Sequence, residues 1–117
     1  MLFRSGGGAR GCVVEHGGIR LVYSGDSRPT DRLIEAARSA DILIHESGGL
    51  DANASEVHRL GHSTGGDAGR AAAAAGAKRL VLTHFPADLL AGPRLAEARA
   101  AFGGPVELAA DLTLIDI

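Results

Sequence analysis

Carboxylates and imidazoles recur at one kind of place in this 117-residue sequence. The runs LVYSGD, DILIHE and LVLTH each carry a largely apolar stretch, and they finish on Asp26, on His45-Glu46 and on His84. A fourth polar group, Gly61-His62-Ser63-Thr64, stands where an aperiodic stretch gives way to a helical pattern. Carboxylate and imidazole are the donor types that bind zinc and manganese. Each residue alone has an ordinary explanation. A strand-end histidine is often a satisfied structural residue, Asp26 precedes Ser27-Arg28-Pro29, a good turn, and His62 could simply flank a helix cap. Together, at the carboxyl ends of strands where side chains leave the core and meet solvent, they form a metal-hydrolase inventory.

The elements that must position these residues can be read from periodicity. Residues 13–15 and 19–24 flank His16-Gly17-Gly18 and read as a β-hairpin. Thr30 is placed to cap a helix running to about Arg38, with Leu33, Ile34 and Ala37 on one face. Residues 41–46 form a third strand, and residues 47–61, lacking periodicity, read as a loop. Ser63 or Thr64 caps a second helix through the Ala71–Ala75 tract to Gly76, a C-terminal stop. A fourth strand ends at His84, Pro93 opens a third helix, Gly103-Gly104 ends it, and VEL and LTLIDI close the chain as two short strands. The order is β-β-α-β-α-β-α-β-β, an α/β layer pattern.

Composition narrows the function classes. Hydrophobic residues make up 45% and charged residues 22%, which suits a chain that buries one core. A net charge of −2 offers no bulk attraction for nucleic acid or membrane. Aromatic content of 3% argues against base-stacking platforms. The single Cys12 excludes an internal disulfide and a cysteine-based zinc site. No apolar run approaches the roughly 18 residues of a membrane span, so a soluble, cytoplasmic domain without a membrane partner is expected. GGGARG matches a dinucleotide-binding pattern in letters only, because no strand precedes it and a strand rather than a helix follows. Glu56, His58 and His62 could be imagined as a helical metal face, but Gly61 and the aperiodicity favour solvated loop residues, with His58 open to a substrate contact.

The pieces SGDSRP, LIHES, GHST and LTHFP, in this order, resemble the C-terminal half of the metallo-β-lactamase fold hydrolases over about residues 13–117. Within that superfamily the likeness is to the ribonuclease Z branch and its phosphodiesterase and arylsulfatase-like relatives. The resemblance implies the C-terminal half of an αββα sandwich. It implies that Asp26 bridges two metal ions, zinc or else manganese, and that His84 is a ligand of the second. His62 would contact the scissile phosphate as a catalytic group, and Glu46 would orient His62, with His45 a structural neighbour. Two divalent ions roughly 3.5–4 Å apart can share one oxygen and neutralise phosphate charge. The implied substrate is a phosphodiester, a transfer-RNA precursor in the ribonuclease Z case.

The sequence also departs from that family. Its H-x-H-x-D-H segment is absent, and His16, in the hairpin turn, does not replace the histidine expected before SGD. HESGG stands where H-E-A-T is usual, and LTHFP where L-T-H-F-S is usual. Residues 1–11 read as a disordered or artefactual segment, with residues 1–5 an assembly scar, and residues 12–117 as the half domain. The expectation is therefore a truncated, inactive half, with two metal ligands where catalytic zinc usually has three. The alternatives left open are an arylsulfatase-, cyclic-nucleotide phosphodiesterase- or lactonase-like hydrolase, or a non-catalytic α/β association module. A half-sandwich exposes one sheet face, so association, a homodimer included, is expected under either reading.

This reading predicts that the 117-residue chain alone does not hydrolyse a generic phosphodiester in the presence of zinc or manganese. Robust metal-dependent turnover that His84→Ala abolishes would overturn it.

Overall fold

The computed structural model describes residues 2–4, 10–84 and 91–110. The strands are β1 (Leu2–Arg4), β2 (Arg10–His16), β3 (Ile19–Tyr23), β4 (Ile42–Glu46), β5 (Arg79–Thr83) and β6 (Val106–Leu108). Between them lie α1 (Asp31–Ala36), α2 (Ala54–Arg59), α3 (Gly65–Ala75) and α4 (Ala91–Phe102). The strands form one sheet in sequence order, antiparallel from β1 to β3 and parallel from β3 to β6.

The hairpin follows from its turn. His16 pairs with Ile19, which leaves Gly17-Gly18 as a two-residue loop with φ of +58° and +80°, the mirror-image geometry that matches strand twist. From β3 onward each parallel strand needs a crossover helix, and right-handed crossovers place the helices on one face. The core records this. Val22, Leu43, Leu80, Leu82 and Val106 pack with Leu33, Ala37, Ala68, Ala72, Ala75 and Ala98 from the helices. The alternating residues Ile42 and Val81 are buried on the opposite face, where Val14 and Tyr23 stay exposed.

Helix α3 is buried along most of its length because its residues are small. Thr64 and Asp67 form a reciprocal capping box at its start, and Gly76 ends it in the left-handed conformation. Its closeness to α4 is set at Gly69, where an added Cβ would lie 2.5 Å from the Ala98 carbonyl oxygen and 2.8 Å from the Ala101 Cβ.

Several sequence expectations need correction. Residues 47–61 are not a plain loop: a 3-10 turn, Asp51–Asn53, leads into α2. The helical contacts are local and the segment too short for periodicity to show. Helix α1 stops at Ala36 rather than near Arg38, and Ser39 takes a φ of +58°. Helix α4 begins at Ala91, two residues before Pro93, which a helix tolerates in its first turn. Residues 2–4 and 10–11, in the segment read as disordered or artefactual, lie in β1 and β2, which pair antiparallel with Leu2 opposite Cys12, Phe3 opposite Gly11 and Arg4 opposite Arg10. The final strand LTLIDI lies outside the described residues, as do Phe85 and Pro86.

Replacing Gly69 by alanine would raise helix propensity by about 1 kcal/mol, but overpacking against backbone costs about 1–3 kcal/mol. The contact with the Ala98 carbonyl decides the sign. Gly69→Ala is expected to lower the urea midpoint, corresponding to a net loss of up to about 2 kcal/mol.

Candidate metal centre

The parallel order β3-β4-β5 brings three carboxyl ends side by side. Asp26 follows β3 after Gly25, Glu46 ends β4 opposite Thr83, and His84 is the first residue beyond β5. His62 arrives from another direction, in the short segment between α2 and α3. A parallel bridge between Gly49 and Thr64 fastens that segment to the residues following β4.

Glu46 is the organising group. Its side chain is fully buried on the face away from the helices, and its Oε1 accepts the backbone N–H groups of Ser27 and Ser63, each at 2.9 Å. The same oxygen lies 3.1 Å from His62 Nδ1, and Oε2 accepts the Gly48 N–H at 3.1 Å. The Ser63 hydroxyl also donates to the Ser27 carbonyl. One carboxylate thus ties the Asp26 loop, the His62 segment and its own strand together. Burial raises its pKa above the ordinary value, and the N–H donors and His62 offset only part of that shift.

Three side chains meet above this base. One ligand atom each from Asp26, His62 and His84 lie within 4.8 Å of one another. Asp26 Oδ1 is 3.7 Å from His84 Nδ1, and both residues are about half exposed. Zinc bonds nitrogen and oxygen donors at about 2.0–2.2 Å, so a single ion can reach both atoms across that gap. The donor set fits a divalent cation. The His62 and His84 rings are stacked, with centroids 4.9 Å apart and planes within 13°. An imidazole lone pair lies in its ring plane, so two nearly parallel rings cannot both direct a lone pair at the same ion. The stack sets the two imidazoles face to face beside Asp26. His84 has a φ of +55°, left-handed for a residue with a Cβ, a conformation that costs of order 1–3 kcal/mol and clusters at ligand sites.

The remaining candidates separate from the centre. His45 is fully buried, its Nδ1 is 2.8 Å from the Glu46 carbonyl oxygen, and burial depresses its pKa. It is a neutral core histidine on the face that meets the helices. Glu56 pairs with Arg59 on the surface of α2, and His58 Nε2 bonds Asp67 Oδ2 at 2.5 Å, so Glu56, His58 and His62 do not form a metal face. The sequence placed Ser27 in a turn and Ser63 as a candidate helix cap, which Thr64 is instead; both serines act here through backbone N–H groups, which carry no signal in a side-chain pattern.

The raised pKa of Glu46 carries a sign. Folding disfavours its ionised form, so its contribution is most favourable below the unfolded value near 4.5 and is lost as pH rises through the higher folded value. Urea unfolding from about pH 4.5 towards neutrality should show a stability decline that Glu46→Gln reduces.

Comparison with known proteins adds identity to this geometry. Residues 4–85 match the family model described as Beta-lactamase superfamily domain. The ribonuclease Z of Myxococcus xanthus is 46% identical over 96 residues, covering 80% of this chain and 31% of that protein. The chain spans about a third of the length of the curated relatives it matches. Among solved structures, the metallo-β-lactamase fold protein YhfI from Bacillus subtilis superimposes with a TM-score of 0.82 at 29% identity, covering 92% of this chain and 45% of that one. The short form of human tRNase Z gives a TM-score of 0.71 at 33% identity, covering 92% and 37%. With one sheet face covered by helices, the other carrying exposed apolar residues, and a carboxylate–imidazole cluster at the strand ends, this chain belongs to the β-lactamase superfamily domain family.

Proposed function

We propose that the chain contributes one side of the active centre of a metal-dependent phosphodiesterase of the ribonuclease Z type, acting on RNA such as a transfer-RNA precursor. The observation that supports this best is the pairing of a 3.7 Å Asp26–His84 gap with a neighbouring histidine held by a buried carboxylate. Similarity to a ribonuclease Z and to a tRNase Z supports the substrate class. A second ion and its ligands belong to the same proposal, zinc being the preferred metal and manganese the alternative.

The geometry supports a division of labour. Asp26 and His84 hold the ion, which when bound supplies Lewis acidity at a phosphate oxygen. Glu46 sets the ring plane of His62 through Nδ1, leaving Nε2 to meet an oxygen of the scissile phosphate. Because Glu46 also accepts from Ser27 and Ser63, its contact with His62 is part of the same rigid set that holds the Asp26 loop. The helix-free sheet face bearing Val14 and Tyr23 supports an association surface of this half domain, a homodimer being one form of it.

Zinc titration of the chain tests the ligand assignment. Stabilisation should reach about 2.7 kcal/mol at a hundredfold excess over Kd, read as a rise in Tm, and should vanish in Asp26→Ala. His62→Ala should keep the zinc response, while in the whole protein it should lower kcat by about 10²-fold or more. Loss of zinc binding in His62→Ala would make His62 a ligand instead. No zinc response in the unaltered chain would favour a plain association module.

A further inference from the structure

Arg94 lies far from the metal-binding motifs in sequence, in the first turn of α4, yet its side chain is only 3% exposed. Its Nε donates to the Ser47 carbonyl at 2.7 Å and one terminal nitrogen donates to the Gly48 carbonyl at 3.1 Å. These are the two residues that follow Glu46. Ser47 is held from its other side, where its N–H and hydroxyl donate to the Thr83 carbonyl at 2.8 and 3.0 Å, one residue before His84. Gly48, fixed in this way, returns its N–H to Glu46 Oε2. Space there is closely set, because an added Cβ at Gly48 would lie 3.2 Å from Glu46 Oε2 and 3.3 Å from the His62 Cβ.

One turn later on the same helix, Glu97 accepts the Asp51 N–H at 2.9 and 3.1 Å and the Gly66 N–H at 3.3 Å. An added Cβ at Gly65 would overlap the Arg94 backbone carbonyl. Residues three apart share a helix face. That face therefore grips two segments at once: the one leaving Glu46 and the one leaving His62.

We infer that Arg94 is a positioning residue for the Glu46–His62 pair, acting through the Ser47 and Gly48 carbonyls. A guanidinium taken out of water needs several well-aligned acceptors, and its forked geometry fixes both carbonyls in a way a point charge does not. The Gly48 N–H then holds Glu46 in the rotamer that meets His62 Nδ1, which keeps the imidazole in one tautomer with Nε2 bare. This deepens the proposed function, since it explains how His62 is presented, but its test needs no substrate.

Nitrogen NMR of His62 in the full chain reads the tautomer directly. The unaltered chain should show a protonated Nδ1 and a bare Nε2. In Arg94→Met, which keeps the apolar stem and removes the donors, both resonances should move towards the averaged position of exchanging tautomers. Arg94→Lys should lie between the two, and it decides by the same criterion if Arg94→Met loses the fold. Val13→Ala, destabilising in the core at β2, on the side of the sheet away from β5 and β6, should leave the His62 resonances in place. Unchanged His62 resonances in a folded Arg94 variant, or an equal shift in Val13→Ala, would reduce Arg94 to a general packing role and overturn the inference. A chain that shows the tautomer shift while the whole protein cleaves no phosphodiester would sink the proposed function alone.

Discussion

The buried carboxylate of Glu46 is the constraint on which the rest of the centre depends. A carboxylate out of water is unfavourable unless donors surround it, and here Ser27, Ser63 and Gly48 supply backbone N–H groups while His62 supplies a ring nitrogen. Those donors come from three separate segments. Satisfying one side chain therefore fixes the loop carrying Asp26, the segment carrying His62 and the turn after β4 relative to one another. Burial keeps its pKa above the ordinary value in spite of these donors.

The sheet and helices serve this arrangement. Parallel strands in sequence order deliver Asp26, Glu46 and His84 to a common edge, and the Ser24 hydroxyl joins β3 to β4 there by accepting the Glu46 N–H at 3.0 Å. Small residues in α3 let α4 approach closely at Gly69, and that approach carries Arg94 and Glu97 to the loops beneath the centre. Packing in the helical layer is thus linked to the orientation of side chains at the strand ends. A hydrogen-bond network of this kind is worth more when every member is satisfied.

Much of the architecture was legible because its signals are local. Apolar β-branched runs marked the strands, Thr30 and Thr64 marked helix starts by side-chain capping, and Gly17-Gly18 marked the hairpin. Asp26, Glu46, His62 and His84 could be named from their places at strand ends and beside a cap. Short elements escaped: α2 has six residues, too few for a helical period, and β1 has three. His58 read as a loop residue because its partner Asp67 stands nine positions later on another helix.

The sequence by itself determined which residues could bind a cation and on which edge of an α/β sheet most of them would fall, since strand polarity and turn chemistry are written in neighbouring residues. Tertiary structure alone decided how they relate. Only the fold stacks His62 on His84 and brings both beside Asp26. The backbone donors of Ser27 and Ser63 and the reach of Arg94 to the Ser47 and Gly48 carbonyls arise from contacts between segments 17 to 47 residues apart. Backbone groups are the same in every residue, so no side-chain pattern announces which of them will meet a buried charge; only chain closure in three dimensions selects them.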